Sequence, residues 1–158
     1  MDYELDVCAI TDTWLSQDAD QIDCRNIIPT GFRLHRVPRT TSRGGGIAIL
    51  YNTNLSAKCI KLQPFTTFEV MEMLLYSTKL IIRIIAICRP LGNKSVTSYN
   101  DEFEQCISNH ATNGRDLLKV GDFNVHVEDR RDNNAVSFRL PHLPYLAVYI
   151  TNIVNMAF

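Results

Sequence analysis

The chain has 158 residues, of which 46% are hydrophobic and 21% charged, and a formal net charge of −1. That length suits a single domain with a sizeable core, and the composition excludes a disordered or fibrous chain. The near-neutral balance also excludes the overall basic footprint of a nucleic-acid binder, so any such contact has to come from a local patch.

The opening MDYELDVCAI is acidic and lacks the basic region and apolar run of a secretory signal. Five cysteines, Cys8, Cys24, Cys59, Cys88 and Cys106, are odd in number and form no CxxC pair. They read as reduced thiols of an intracellular protein rather than as a zinc site. ELDVCAIT (4 to 11) predicts a strand leading into Asp12, FRLHRV (32 to 37) alternates, and GGIAILY (45 to 51) follows a glycine-rich turn. After AKCIKLQ (57 to 63), the runs FEVMEMLLYS (68 to 77) and LIIRIIAIC (80 to 88) flank a Ser-Thr-Lys turn and predict a hairpin in a sheet interior. The surrounding KLIIRIIAICRP is interrupted by Arg83 and falls far short of the roughly 20 apolar residues of a membrane span, so no membrane association is expected.

SYNDEFEQCISNHA (98 to 111) predicts a helix capped by Ser98, with Asp101 and Glu102 in its first turn. Its apolar face carries Tyr99, Phe103, Cys106 and Ile107, and Gly114 is the stop signal. The helix delivers the chain to a strand in DLLKVGDFN. Strands outnumber helices, which predicts an α/β or α+β layered fold rather than a bundle.

Within LKVGDFNVHVED (118 to 129), the chain turns at Gly121 and presents Asp122, Asn124 and His126 in alternation, on one face, with Phe123 pointing to the other. A carboxylate and an amide side by side suit hydrolysis of a phosphodiester, with a base for water and a donor to phosphate oxygen. Gly, Asp and Asn also suit a plain turn, and the stretch alone leaves both readings open. His126 lies near Glu128 and Asp129, but no second histidine stands at ligand spacing, so it reads as site-proximal or surface. RLHRVPRTTSRGGG carries Arg33, Arg36, Arg39 and Arg43 with His35, either a DNA-backbone patch or a solvated loop. Its glycines lack the Lys-Ser/Thr of a phosphate-binding P-loop.

Five blocks taken together carry a resemblance: LDVCAITDTWLS, RGGGIAILY, FEVMEMLLY, IIAICRPLG and LLKVGDFNVHVED, in this order over residues 5 to 129. The chain resembles endonuclease/exonuclease/phosphatase domains, and most of all the apurinic-like endonuclease of non-LTR (LINE-type) retrotransposons. The resemblance implies a four-layer α/β sandwich that cuts DNA phosphodiesters with Mg2+, or with Mn2+, and works in the nucleus. It implies that Asp122 orients or deprotonates water, that Asn124 donates to the phosphate and that Asp12 holds the metal, with Arg36, Arg39, Arg43 and Arg89 as weaker nucleic-acid contacts. No protein partner is implied.

Against that family the sequence starts about one strand late and stops several strands early. The resemblance therefore implies a domain truncated at both ends, with a partial domain over residues 1 to 134 and a divergent tail over 135 to 158. Asp12 replaces a glutamate and Cys88 a tyrosine of the family pattern; the catalytic histidine is not carried onto His142. Three functions stay open: a DNA-nicking hydrolase, an inactive nucleic-acid-binding remnant, and a phosphoesterase of the same fold acting on small phosphorylated substrates.

Overall fold

A computed structural model of the chain describes residues 6 to 15, 26 to 39, 44 to 90, 95 to 111 and 116 to 124. Each run read as a strand forms one: β1 (Val7–Thr11), β2 (Phe32–Val37), β3 (Ile47–Asn52), β4 (Ser56–Ile60), β5 (Glu69–Tyr76), β6 (Ile81–Cys88) and β7 (Asp116–Asp122). Helix α1 (Val96–Ala111) lies between β6 and β7. The expected division near residue 134 and the tail beyond it lie outside the described residues.

The strands form two sheets, with orders β1-β3-β2 and β4-β5-β6-β7. The pairings are antiparallel except β6 with β7, which is parallel. A parallel pair needs a long crossover, and α1 supplies it. β5 and β6 form the expected hairpin in the sheet interior, and Ile84 to Cys88 are buried throughout.

Alternation assigns the faces. Ile47, Ile49 and Tyr51 of β3 meet Met71, Met73 and Leu75 of β5 and Ile84, Ala86 and Cys88 of β6, so the first core lies between the sheets. The other face of the second sheet carries Ile85 and Ile87, packed with Phe68, Phe123 and Tyr99, Phe103, Cys106 and Ile107 of α1. The described residues thus make three layers: sheet, sheet and helix. On the helix-facing side, the buried Glu72 and Lys119 flank Ile85 in register, and Arg83 Nε lies 3.4 Å from Glu72 Oε1. Burial lowers the pKa of Lys119.

The helix begins before the expected cap. Tyr99 N donates to Ser95 O at 3.1 Å, which makes Ser95 the capping position, and no acidic residue lies in the first turn. Ser95 has the same capping chemistry as Ser98, and the earlier start puts Tyr99 inside the apolar face. Glu102 falls past the first turn and serves a different purpose. Its carboxylate accepts from the backbone N and the hydroxyl of both Thr66 and Thr67, at 2.7 to 3.1 Å. Desolvation pushes its pKa up, but those bonds together hold it below the ordinary value.

Gly121 of β7 stands against Ile87 of β6 with no room for a side chain. It has φ +140°, and a Cβ there would sit 1.8 Å from Ile87 O. A Gly121→Ala chain should lose more than about 3 kcal/mol, as strain and displaced backbone combine. Phe103→Ala should lose about 3–5 kcal/mol through the cavity it leaves. Urea unfolding measures both, and a Gly121→Ala midpoint equal to that of the unmodified chain would contradict the close approach.

Candidate active site

The site forms where β1, β6 and β7 end together. In the parallel ladder Cys88 is the register partner of Asp122, one strand spacing or about 4.8 Å away. From the first sheet, Asp12 follows directly on β1, and its Oδ1 accepts from Cys88 Sγ at 3.9 Å. The fold therefore brings Asp12 and Asp122 each next to Cys88, although they come from different sheets. Asp12 is exposed and Cys88 is fully buried.

The loop after β7 is built by its own polar groups. Asp122 Oδ1 accepts from Asn124 N at 3.0 Å, an Asx turn that suits the left-handed φ of 46° at Asn124. The Asn124 side-chain amide donates to Arg89 O, so one of its two N–H groups fixes its orientation. Arg89 N donates to Asp122 O at 2.8 Å, and its guanidinium lies over the Tyr99 ring, 4.3 Å from the centroid. Phe123 points the other way and packs edge-on against Phe103, with centroids 5.8 Å apart. The period of two thus separates an anchor from two polar groups. Tyr99 is fully buried, and burial above all raises its pKa; the Arg89 charge opposes the rise, while Cys106 and Asp122 add to it.

Glu69 is a member of this corner that sequence reasoning did not single out. It stands opposite Cys88 in the β5–β6 register, pairs with Arg39 Nε through Oε1, and accepts from Gly46 N through Oε2 at 3.0 Å. The Arg39 guanidinium occupies the space a Cβ would need at Gly45, whose φ is +74°. The bond to Glu69 is the main reason the Arg39 pKa is raised, and the charges of Glu69 and Asp12 add to it against the opposing effect of burial. The one available signal was an acidic residue opening an otherwise apolar strand.

The other expected residues are dispersed. Arg36 is half-buried on β2, where it pairs with Ala48 of β3. Arg39 is largely covered, with 13% of its side chain exposed, and its charge is committed to Glu69. Arg43 and His126 lie outside the described residues. A cleft of about 520 Å³ opens beside Arg39, Glu69, Phe65 and Phe68, but Asp12, Asp122 and Asn124 do not line it.

Among the described residues no three His, Cys, Asp or Glu side chains cluster closely enough to cage a metal. Magnesium does not need such a cage: it keeps most of its waters and is often held by one or two carboxylates and a substrate phosphate. The exposed Asp12 fits that requirement. The Cys88 thiol beside it is pushed up to about 12, mainly by burial and then by the Asp12 charge, so it stays protonated and offers no thiolate to a softer metal.

No protein-family model and no curated protein matches the sequence. Solved structures do. The human Nocturnin catalytic domain, in a structure with a bound sulfate anion, superposes with a TM-score of 0.58 at 13% identity, over 90% of this chain and 56% of that one. Truncated TDP2 from Caenorhabditis elegans gives 0.55 at 13% identity, over 78% of this chain and 51% of that one. A second C. elegans TDP2 structure gives 0.53 at 13% identity, with 78% and 39% covered. Both proteins belong to the endonuclease/exonuclease/phosphatase superfamily, and the likeness is one of fold. The chain spans roughly half the length of the structures it matches.

Two outcomes are expected. Glu69→Ala leaves Arg39 largely covered and unpaired, and should lower stability by about 1–3 kcal/mol in chemical denaturation. The thiols of Cys88 and Cys106, both pushed up to about 12 by burial, should resist iodoacetamide at pH 8 in the native chain and react once it is unfolded. Because folding raises both pKa values, the folded chain holds the extra protons. Stability is then fully present below about pH 9 and falls as pH rises toward 12, by roughly 1 kcal/mol per pH unit for each thiol. Peptide mass mapping and denaturation across that range check this, and rapid native labelling of Cys88 would contradict its burial.

Proposed function

We propose that the chain is a metal-dependent phosphodiester hydrolase domain of the LINE-type retrotransposon endonuclease kind, built on the four-layer sandwich and nicking DNA. The observation that carries the reading is the convergence of Asp12 with Asp122 and Asn124 around the end of β6. Three separate sequence blocks supply that corner, and each contributes the chemistry the reaction needs. The fold likeness to a catalytic domain with a bound sulfate, a tetrahedral anion shaped like phosphate, supports the same reading.

In this reading Asp122 takes the proton of the attacking water. Its Oδ1 is occupied by Asn124 N, so Oδ2 is the atom assigned to the water. The remaining N–H of the Asn124 amide donates to a non-bridging phosphate oxygen as negative charge builds there. Arg89, braced on Tyr99, adds positive charge beside that loop, while Arg36 and Arg43 serve the DNA backbone. Asp12 would hold Mg2+ or Mn2+, which when bound offsets charge on the phosphate. Hydrolysis adds one water across a P–O bond.

One observation favours a second reading, binding without turnover. A buried thiol with its pKa near 12 stands where the resemblance implies a tyrosine hydroxyl, and a thiol is a weak, short donor.

Nicking of supercoiled plasmid separates the two. The hydrolase should convert it to open circles with Mg2+ or Mn2+, stop on chelation, and lose at least about 100-fold in rate in Asp122→Ala. Plasmid binding that weakens with salt, with no nicking and no response to chelation or to Asp122→Ala, would replace the hydrolase with the binding remnant.

A further inference from the structure

Three non-glycine residues among those described adopt left-handed φ angles: Asp12 at 50°, Trp14 at 56° and Asn124 at 46°. Two of them are the proposed metal ligand and the proposed phosphate donor. Aspartate and asparagine tolerate this conformation, whereas a bulky side chain is strained in it. Strain of this kind persists only where the surroundings impose it, and it clusters at functional sites.

The surroundings of Trp14 do impose it. Trp14 N donates to Gly45 O at 2.9 Å, and Thr13 N donates to Gly46 O at 3.3 Å. The Thr13 hydroxyl lies 3.4 Å from Gly45 O and accepts from Leu15 N at 3.5 Å. The indole's six-membered ring lies against Gly44, where a Cβ would meet Cζ2, Cε2 and Cη2 at 3.1 to 3.3 Å. The side chain is therefore braced, and yet the residue remains 66% exposed. Burial of the indole does not account for a strained backbone at this position.

We propose that Trp14 is a stacking platform for an unstacked nucleobase next to the phosphate held between Asp12 and Asn124. This inference rests on the hydrolase reading and narrows its substrate to nucleic acid with an accessible, unpaired base beside the cut. The chemistry is suitable: an indole face accepts any base, so the contact adds affinity and register without reading sequence. A platform two residues from Asp12 fixes the nucleotide adjoining the reacting phosphate. Its fixed backbone removes much of the ordering cost of binding.

Trp14 is the single tryptophan of the chain, so its fluorescence reports on the contact directly. The test titrates the full chain with a short, terminally labelled oligothymidylate, following tryptophan emission and label anisotropy together. A matched abasic sugar-phosphate oligomer serves as the control. The expected result is saturable quenching by oligothymidylate but not by the abasic oligomer. Binding should be roughly tenfold weaker in Trp14→Ala and near normal in Trp14→Phe, with both variants melting cooperatively. Equal quenching by the two oligomers, unchanged affinity in Trp14→Ala, or no binding of oligothymidylate would each overturn the proposal. Plasmid nicking that depends on Asp122 and survives such a result removes the platform alone; absence of nicking as well removes the hydrolase reading beneath it.

Discussion

The parallel ladder between β6 and β7 is the constraint on which the rest of the molecule depends. It requires a crossover, which α1 provides, and it requires two backbones to approach so closely at Gly121 and Ile87 that no Cβ fits between them. In return it lays the end of β7 beside the end of β6, with Asp122 next to Cys88. The aromatic packing of Phe103 on Phe123 and the cation–π contact of Arg89 with Tyr99 both hold the loop that follows. Without that parallel pairing, the Asx turn at Asp122 would be an ordinary surface turn.

The first sheet adds what the second cannot. Its packing through Ile47, Ile49 and Tyr51 carries the end of β1 over the end of β6, so that Asp12 reaches Cys88. The glycine-rich entry to β3 admits the Arg39 guanidinium where a side chain would otherwise stand, and Glu69 receives both that charge and the Gly46 N–H. An arginine that looks from its surroundings in the sequence like a DNA contact is thus tied into the framework of the corner.

The strands were legible because their signal is local. β-branched runs with turn residues between them locate β5 and β6, and the alternation of FRLHRV coincides with β2. The helix start was less legible, since Ser95 and Ser98 offer the same cap within one turn and only the packing of Tyr99 selects between them. Asp12, Asp122 and Asn124 were found through ordered blocks, but their mutual approach is a tertiary fact with no local signature. Glu69 escaped for the same reason: an acidic residue at the head of a strand acquires its role only when β3 and β6 stand on either side of it. The left-handed backbone at Trp14 was likewise unreadable, because residue type argues against it and only the hydrogen bonds to Gly45 and Gly46 impose it.

The bond between Asp12 and Cys88 joins positions 76 apart in the chain and belongs to neither sheet alone. The hairpin of β5 and β6 can close over a short turn, whereas this contact must close a long loop and gains nothing until both sheets are packed. A partly folded form holding one sheet therefore lacks the corner in which Asp12 meets Cys88 beside Asp122. The meeting of Asp12, Cys88 and Asp122 is a property of the completed assembly, and neither sheet holds it alone.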